Sequence, residues 1–131
     1  MSLRTRVLLI DGSPSSLVWQ LVLLQEEQYD TLTTSSTDEG VRIARNERPD
    51  LVILDASIRY ADVVAAATEL RAAEATRHIP ILIVLGAGRT RASADFGEIS
   101  DDQIVKPLKG AEYLHKIREL LGRRRRGGGR R

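Results

Sequence analysis

The chain of 131 residues contains no cysteine, one phenylalanine, one tryptophan and two histidines. Without cysteine it can form neither disulfides nor thiolate metal sites, which agrees with a cytosolic environment. No apolar run approaches the roughly 20 residues that a membrane-spanning helix needs, and no signal-peptide cleavage pattern follows the first apolar run. We therefore expect a cytoplasmic protein that has no membrane partner.

Net charge is also small, at +2, but its distribution is uneven. The C-terminal segment Arg123–Arg131, RRRRGGGRR, holds six of the 20 basic residues, which leaves 14 basic against 18 acidic residues in the rest. This composition predicts a folded domain over 1–122 and a disordered tail over 123–131. The tail favours at most weak, non-specific contact with nucleic acid or an acidic partner, because the chain has no aromatic-rich face for sequence readout.

Within the domain, short apolar runs alternate with helical patterns. Five strands and five helices in alternation predict an α/β fold, a flavodoxin-like (βα)5 domain whose five-stranded parallel sheet has the order 2-1-3-4-5. The predicted strands are Val7–Ile10, Tyr29–Thr34, Leu51–Leu54, Ile81–Leu85 and Gln103–Val105. The predicted helices start at Ser13-Pro14, Thr37, Asp62, Arg89 and Gly110 and end near Glu27, Arg48, Ala73, Phe96 and Leu121.

The first helix is apolar almost all round. Trp19 and Leu23 form an i,i+4 pair that points away from its main apolar stripe, and the only tryptophan of the chain is a candidate anchor for a partner. The alternative is that Trp19 packs its edge against the neighbouring helix. Helical spacing assigns the other apolar residues of this helix to the core: Leu17, Val18, Leu21, Val22 and Leu24.

Polar residues stand where three of the strands end. Asp11 follows the first strand, Asp55 follows the third, and Lys106-Pro107 follows the fifth. In the order 2-1-3-4-5 the first and third strands flank the point where ligands bind, so the two acids predict a Mg2+ site and the lysine a phosphoryl contact. The alternatives are that each acid caps the following helix and that Lys106 is a surface residue before a turn.

The combination resembles the receiver domain of bacterial response regulators. The resemblance covers residues 5–121 and lies in VLLIDGSPSSL, RPDLVILDASI, IPILIVLGAG and DDQIVKPLKGAEYLHKIREL. Asp55 lies 44 residues after Asp11, and Lys106 lies 51 residues after Asp55. The resemblance implies a signalling domain that is not an enzyme beyond modification of itself, and whose partner is a sensor histidine kinase or another signalling protein.

The resemblance also implies a role for each site residue. Asp55 would accept a phosphoryl group from a sensor kinase or a small phosphodonor. Mg2+ would be held by Asp11, Asp55 and the backbone carbonyl of Ser57. Lys106 would contact the phosphoryl oxygens, and its peptide bond to Pro107 would be cis.

Three positions depart from the pattern of that family. Gly12 stands where a second acid usually follows the first strand, Gly86 replaces a hydroxyl residue after the fourth, and Gln103 replaces an aromatic residue. Loss of a carboxylate predicts weak or absent Mg2+ binding, and loss of the hydroxyl and the aromatic ring predicts an impaired switch. Two functions stay open: a phosphorylatable receiver, or a pseudo-receiver in which Asp55 is a relic and the domain acts through its surfaces.

Overall fold

A computed structural model describes residues 4–56, 58–86 and 99–128, with side chains as far as Arg123. Its strands form one parallel sheet in the order β2-β1-β3-β4-β5, which confirms the predicted topology. The strands are β1 (Arg6–Ile10), β2 (Asp30–Thr34), β3 (Leu51–Asp55), β4 (Ile81–Leu85) and β5 (Asp102–Val105). The helices in the described ranges are α1 (Pro14–Glu26), α2 (Thr37–Glu47), α3 (Tyr60–Ala72) and α4 (Gly110–Gly128). The helix predicted over 89–96 lies outside the described residues.

The central strands are apolar because both of their faces are buried. Successive side chains of a strand point to opposite faces, so each strand supplies two cores. One face of β1, with Leu8 and Ile10, packs in a cluster that includes residues of α2 and α3. The other face, with Val7 and Leu9, packs in a cluster that includes residues of α1 and α4.

Helix α1 meets the core with only part of the predicted apolar set: Leu17 and Leu24 pack in the cluster between the sheet and α4. Val18 and Val22, which we expected in the core, are 56% and 48% exposed, whereas Gln20 and Leu24 are fully buried. Leu23 packs against the cluster between the sheet and α4 and so belongs to the core. The prediction was wrong for Val18 and Val22 because a helix that is apolar nearly all round carries a weak periodic signal for its orientation.

Helix α4 is longer than predicted. It continues through Gly128 rather than ending at Leu121, so residues 123–128 of the predicted tail are helical. Arginine favours helix, and Arg123 reaches Glu119 one turn earlier at 3.9 Å, which together offset the cost of Gly122. The division into a domain and an independent tail stays a prediction. Across the described ranges, no helix is both long and apolar enough to cross a bilayer.

Candidate functional site

Asp11 and Asp55 lie side by side at the carboxyl edge of the sheet. β1 and β3 are parallel neighbours in which Ile10 pairs with Leu54, so the residue after each partner emerges at the same level. Both acids are buried, with Asp11 1% and Asp55 0% exposed. Two buried carboxylates this close need compensating donors or cations, because isolated charges are costly to remove from water.

Lys106 supplies one such cation. It follows β5, and its Nζ lies 2.9 Å from Oδ2 of Asp55. The backbone N–H of Lys106 donates to the carbonyl of Leu85 at the end of β4, which holds the start of the loop against the sheet. The Lys106–Pro107 peptide bond is cis, as the resemblance implies. The structure therefore brings together the two acids and the lysine that the sequence singled out.

Gln20 is a fourth member of the site, and the sequence analysis missed it. Its side-chain Nε2 donates to Oδ2 of Asp11 at 2.9 Å and lies 3.2 Å from Oδ2 of Asp55. The same nitrogen lies 3.2 Å from Oγ of Ser16, which itself donates to Asp55 at 3.2 Å. The two carboxylates are therefore bridged by a side-chain amide that comes from α1.

Tyr113 of α4 holds the other end of this amide. Its hydroxyl donates to Oε1 of Gln20 at 2.7 Å, in a fully buried position. Burial raises the pKa of the Tyr113 phenol far above its ordinary range, and the charges of Asp55 and Asp11 act in the same direction. The hydroxyl therefore keeps its proton and remains a donor toward Gln20.

Asp11 serves its own loop as well as the site. Its Oδ1 accepts from the backbone N–H of Ser13 at 2.9 Å, just before α1. The alternative role of Asp11, a local bond at the start of the following helix, is thus present together with its contact to Gln20. Burial raises the pKa of Asp11, and repulsion from Asp55 adds to the shift, against the lowering effects of hydrogen bonds and of Lys106. Asp55 caps no helix, because α3 begins only at Tyr60, after Arg59 at the N-cap.

A magnesium ion at this edge would compete with hydrogen bonds of the chain for the carboxylate oxygens. Among the described residues, no three His, Cys, Asp or Glu side chains converge, and Mg2+ favours six oxygen ligands in near-octahedral geometry. Both oxygens of Asp11 and one oxygen of Asp55 already accept hydrogen bonds from the chain. Ser57, whose carbonyl the resemblance assigns to the metal, lies outside the described residues.

Gly12 faces Ile58, which occupies the space of a missing side chain. A Cβ atom on Gly12 would lie 2.9 Å from Cγ1 of Ile58, closer than such atoms approach each other in proteins. Ile58 is in turn packed against the core between the sheet and helices α2 and α3. A second acid at position 12 would therefore require the isoleucine side chain to move.

The two predicted switch positions differ from each other. Among the described residues, no atom would lie within 4 Å of a Cβ added to Gly86. Gln103 is partly buried, and its Nε2 reaches Oγ of Ser100 at 3.3 Å. Its carbonyl oxygen is buried without a hydrogen-bond partner in the described part of the chain. Neither residue offers a hydroxyl or an aromatic ring.

An open pocket of about 340 Å³ lies beside Lys106. Trp19 forms one wall, and its ring centroid is 6.2 Å from that of Tyr113 at an angle of 51°. Trp19 thus packs against α4 while it remains 41% exposed, and its role as a partner anchor stays a prediction. The pocket is lined by Ser13, Ser15, Ser16, Trp19, Lys106, Pro107 and Leu108.

An open parallel sheet with this strand order, and with acids at its switch point, defines a flavodoxin-like domain that binds its ligand at the strand ends. The family model of the response regulator receiver domain matches residues 7–118. The chain belongs to that family. It is therefore a receiver domain of two-component signalling, a class that in general has no enzymatic activity of its own.

Two curated relatives and one solved structure illustrate the likeness. The DNA-binding dual master transcriptional regulator RpaA of Synechocystis sp. is 30% identical over 119 residues, which are 90% of this chain and 49% of RpaA. Protein PilH of Pseudomonas aeruginosa is 29% identical over 117 residues, 88% of this chain and 97% of PilH. The solved structure is the receiver domain of the sensor histidine kinase PA1611 from Pseudomonas aeruginosa, which has a magnesium ion coordinated in the active site cleft. Its TM-score is 0.79 at 23% identity, and the match covers 91% of this chain and 98% of that one. The chain spans about half the length of RpaA and of several other curated relatives.

Proposed function

We propose that the domain accepts a phosphoryl group at Asp55 within a two-component relay, and that its magnesium site and its switch are both impaired. The observation that carries the proposal is the contact between Oδ2 of Asp55 and Nζ of Lys106, 2.9 Å apart at the edge of the sheet beside Asp11. Membership of the receiver family supports the same role.

The proposed reaction of Asp55 is a nucleophilic displacement at the phosphorus atom of the donor. A carboxylate oxygen of Asp55 attacks the phosphorus of the donor, and the bond from phosphorus to the leaving group breaks. The leaving group takes the electron pair, and an acyl phosphate remains on Asp55. Lys106 stabilises the negative charge on the phosphoryl oxygens, and the pocket beside it has room for a small donor.

Weak magnesium binding follows from the charge count of the site. Asp11, Asp55 and, by resemblance, the carbonyl of Ser57 would hold the ion, which when bound would neutralise charge on the phosphoryl oxygens. Gly12 contributes no carboxylate, and fewer charged ligands mean lower affinity for a hard cation. The magnesium site of this domain thus has one acid fewer than the arrangement that the family usually has.

An impaired switch follows from Gly86 and Gln103. A hydroxyl after β4 would bond the phosphoryl group and draw its loop inward, and an aromatic ring on β5 would fill the space left behind. Without them phosphorylation makes no differential contact with two states of the domain, and a ligand without differential affinity shifts no equilibrium. The response we expect is a local movement of Lys106 toward the added charge.

A second candidate function is a pseudo-receiver that acts as a phosphorylation-independent interaction module. The observation that favours it is the burial of Asp55, which is 0% exposed and accepts from Ser16, Gln20 and Lys106 on one oxygen. An acceptor held in this way must lose some of these contacts before a donor can reach it.

The partners we propose are a sensor histidine kinase or another cytoplasmic signalling protein. The segment Arg123–Arg131 adds weak, non-specific contact with nucleic acid or an acidic partner through its six arginines. RpaA is a DNA-binding regulator, and this chain spans about half of its length. This relationship supports a receiver that works beside an effector domain.

Intact-mass analysis after treatment with an acyl phosphate and Mg2+ separates the two functions. We expect a phosphate adduct in the wild type that is absent in Asp55→Asn and reduced in Lys106→Ala. Asp101→Asn, at an acid that pairs with Arg71 away from the site, is the control and should be modified like the wild type. No adduct in the wild type would favour the pseudo-receiver, and an adduct that persists in Asp55→Asn would place the acceptor elsewhere.

Magnesium titration of Gly12 variants tests the impaired site. Gly12→Asp alone restores the acid but meets Ile58, so the double variant Gly12→Asp/Ile58→Ala should bind Mg2+ more tightly than either single variant. NMR shifts of the amides near Asp11 report the affinity. Wild-type binding as tight as that of the double variant would contradict the proposal.

A further inference from the structure

Gln20 is a neutral side chain whose amide donates hydrogen bonds toward both acids of the site. It is fully buried, although glutamine is mostly a surface residue, and a buried amide is costly unless its donors and acceptor are all paired. Here they are paired: Nε2 faces Asp11 at 2.9 Å and Asp55 at 3.2 Å, and Oε1 accepts from Tyr113 at 2.7 Å. The nitrogen that carries the two amide hydrogens therefore faces both carboxylates, with Oγ of Ser16 also at 3.2 Å.

Tyr113 determines which way the amide points. Its hydroxyl donates to Oε1 of Gln20 at 2.7 Å, which holds the oxygen end of the amide against α4. The nitrogen then faces the acids. With the amide reversed, its oxygen would lie against the two carboxylates, and both acids would lose the donor that they share. Trp19 lies against the ring of Tyr113 and covers this arrangement from the solvent side.

We propose that Gln20, oriented by Tyr113, is a positioning residue that joins Asp11 and Asp55 in place of a divalent cation. The amide hydrogens offset the repulsion between the two acids, and hydrogen bonds to charged groups are the stronger kind. A cation that used the same oxygens would first have to displace these bonds. The bridge therefore gives the acceptor site a fixed, cation-independent shape and lowers its affinity for Mg2+.

This inference rests on the weak Mg2+ binding of the proposed function but assigns it a second cause. The absence of an acid at Gly12 removes a ligand, whereas the amide of Gln20 bonds one oxygen of each acid that remains. The two causes act on different residues and can be measured apart. Neither measurement depends on whether Asp55 is phosphorylated.

The test compares Gln20→Met, which keeps the length of the side chain but has no donor, with Gln25→Met at an exposed position of the same helix. Mg2+ affinity is read from amide shifts, with Mn2+ as a paramagnetic probe, and melting temperatures are measured in Mg2+ and in EDTA. We expect Gln20→Met to bind Mg2+ about tenfold more tightly than the wild type, equivalent to about 1.4 kcal/mol. Its melting temperature should rise in Mg2+, while that of the wild type and of Gln25→Met should not.

Tyr113→Phe keeps the ring and removes only the hydroxyl that orients the amide. It should shift Mg2+ affinity in the same direction as Gln20→Met but by less, and it guards against a Gln20 variant that fails to fold. In the wild type the side-chain amide protons of Gln20 should exchange slowly with solvent and should not move on addition of Mg2+. Equal Mg2+ affinity in the wild type, Gln20→Met and Tyr113→Phe would overturn the proposal, and so would rapid exchange of the Gln20 amide.

Discussion

The carboxyl edge of the sheet has two halves of opposite construction. At the β1–β3 half, Asp11 and Asp55 are buried and bonded to Gln20, which Tyr113 holds in turn. At the β4–β5 half, the described part of the chain has no atom within 4 Å of a Cβ added to Gly86 and no partner for the buried oxygen of Gln103.

The two halves differ in where the described polar side chains bond to one another. In the acceptor half, polar groups satisfy one another in a network that is fixed by two helices, α1 and α4. In the switch half, the two positions that we propose as impaired, Gly86 and Gln103, carry neither a hydroxyl nor an aromatic ring. If the switch is impaired as we propose, the bonded acceptor half should keep a constant shape, because a conformational response needs a bistable element to act on.

The largest effect should come from removing the ring that supports the acceptor half. Tyr113 is among the largest fully buried side chains, so Tyr113→Ala should lower the free energy of unfolding by roughly 3–5 kcal/mol. Tyr113→Phe leaves Oε1 of Gln20 without its donor and should cost roughly 1–3 kcal/mol. Urea unfolding measures both, and equal stability of Tyr113→Phe and the wild type would mean that the hydroxyl bond contributes nothing.

The pH dependence of Asp11 probes the same half. Burial raises the pKa of Asp11 above 3.8, the value of an unperturbed aspartate. The folded chain then holds the proton more tightly than the unfolded chain, so the contribution of Asp11 to stability is greatest below pH 3.8 and falls as the pH rises to its folded-state pKa. Carboxyl carbon NMR should show this shift, and Gln20→Met should raise the pKa further because the charged form loses a donor. A pKa at or below 3.8 would contradict the burial that we describe.

A smaller effect is expected at the switch half. Gln103→Leu removes a buried oxygen that has no partner among the described residues and loses only the 3.3 Å contact with Ser100. Stability should therefore rise, by about 1 kcal/mol or less. Gln25→Leu, on the exposed side of α1, provides the comparison for a Gln-to-Leu change at the surface. A marked loss of stability in Gln103→Leu would show that its amide is structurally important.

The smallest effect on stability is expected at Gly86. The Cβ of a serine there would meet no atom of the described residues within 4 Å, so Gly86→Ser should change the free energy of unfolding by no more than about 0.5 kcal/mol. In the wild type, beryllofluoride should shift only amides near Asp11, Asp55 and Lys106, and Gly86→Ser should extend these shifts toward β5. Wide shifts already present in the wild type would restore an ordinary switching receiver and remove the contrast between the two halves.

Sequence alone determined the sheet and the charged part of the site. Runs such as Leu51–Leu54 are apolar because a strand covered on both faces has no exposed side. A short unbroken apolar run therefore predicts a central strand from the sequence alone. Asp11, Asp55 and Lys106 were found because parallel strands end at a common edge, so position at a strand end is enough to bring residues together.

Only the tertiary structure decided how α1 and α4 complete the site. Gln20 in an apolar helix gives no sign of burial, and its partner Tyr113 lies 93 residues away in the chain. Which side of α1 faces inward depends on how the helix packs against the sheet and α4, and that choice exposed Val18 and Val22 while it buried Gln20. The physical reason is that strand ends are fixed by local pattern, whereas the rotation of a helix that is apolar all round is determined only by the surfaces it packs against.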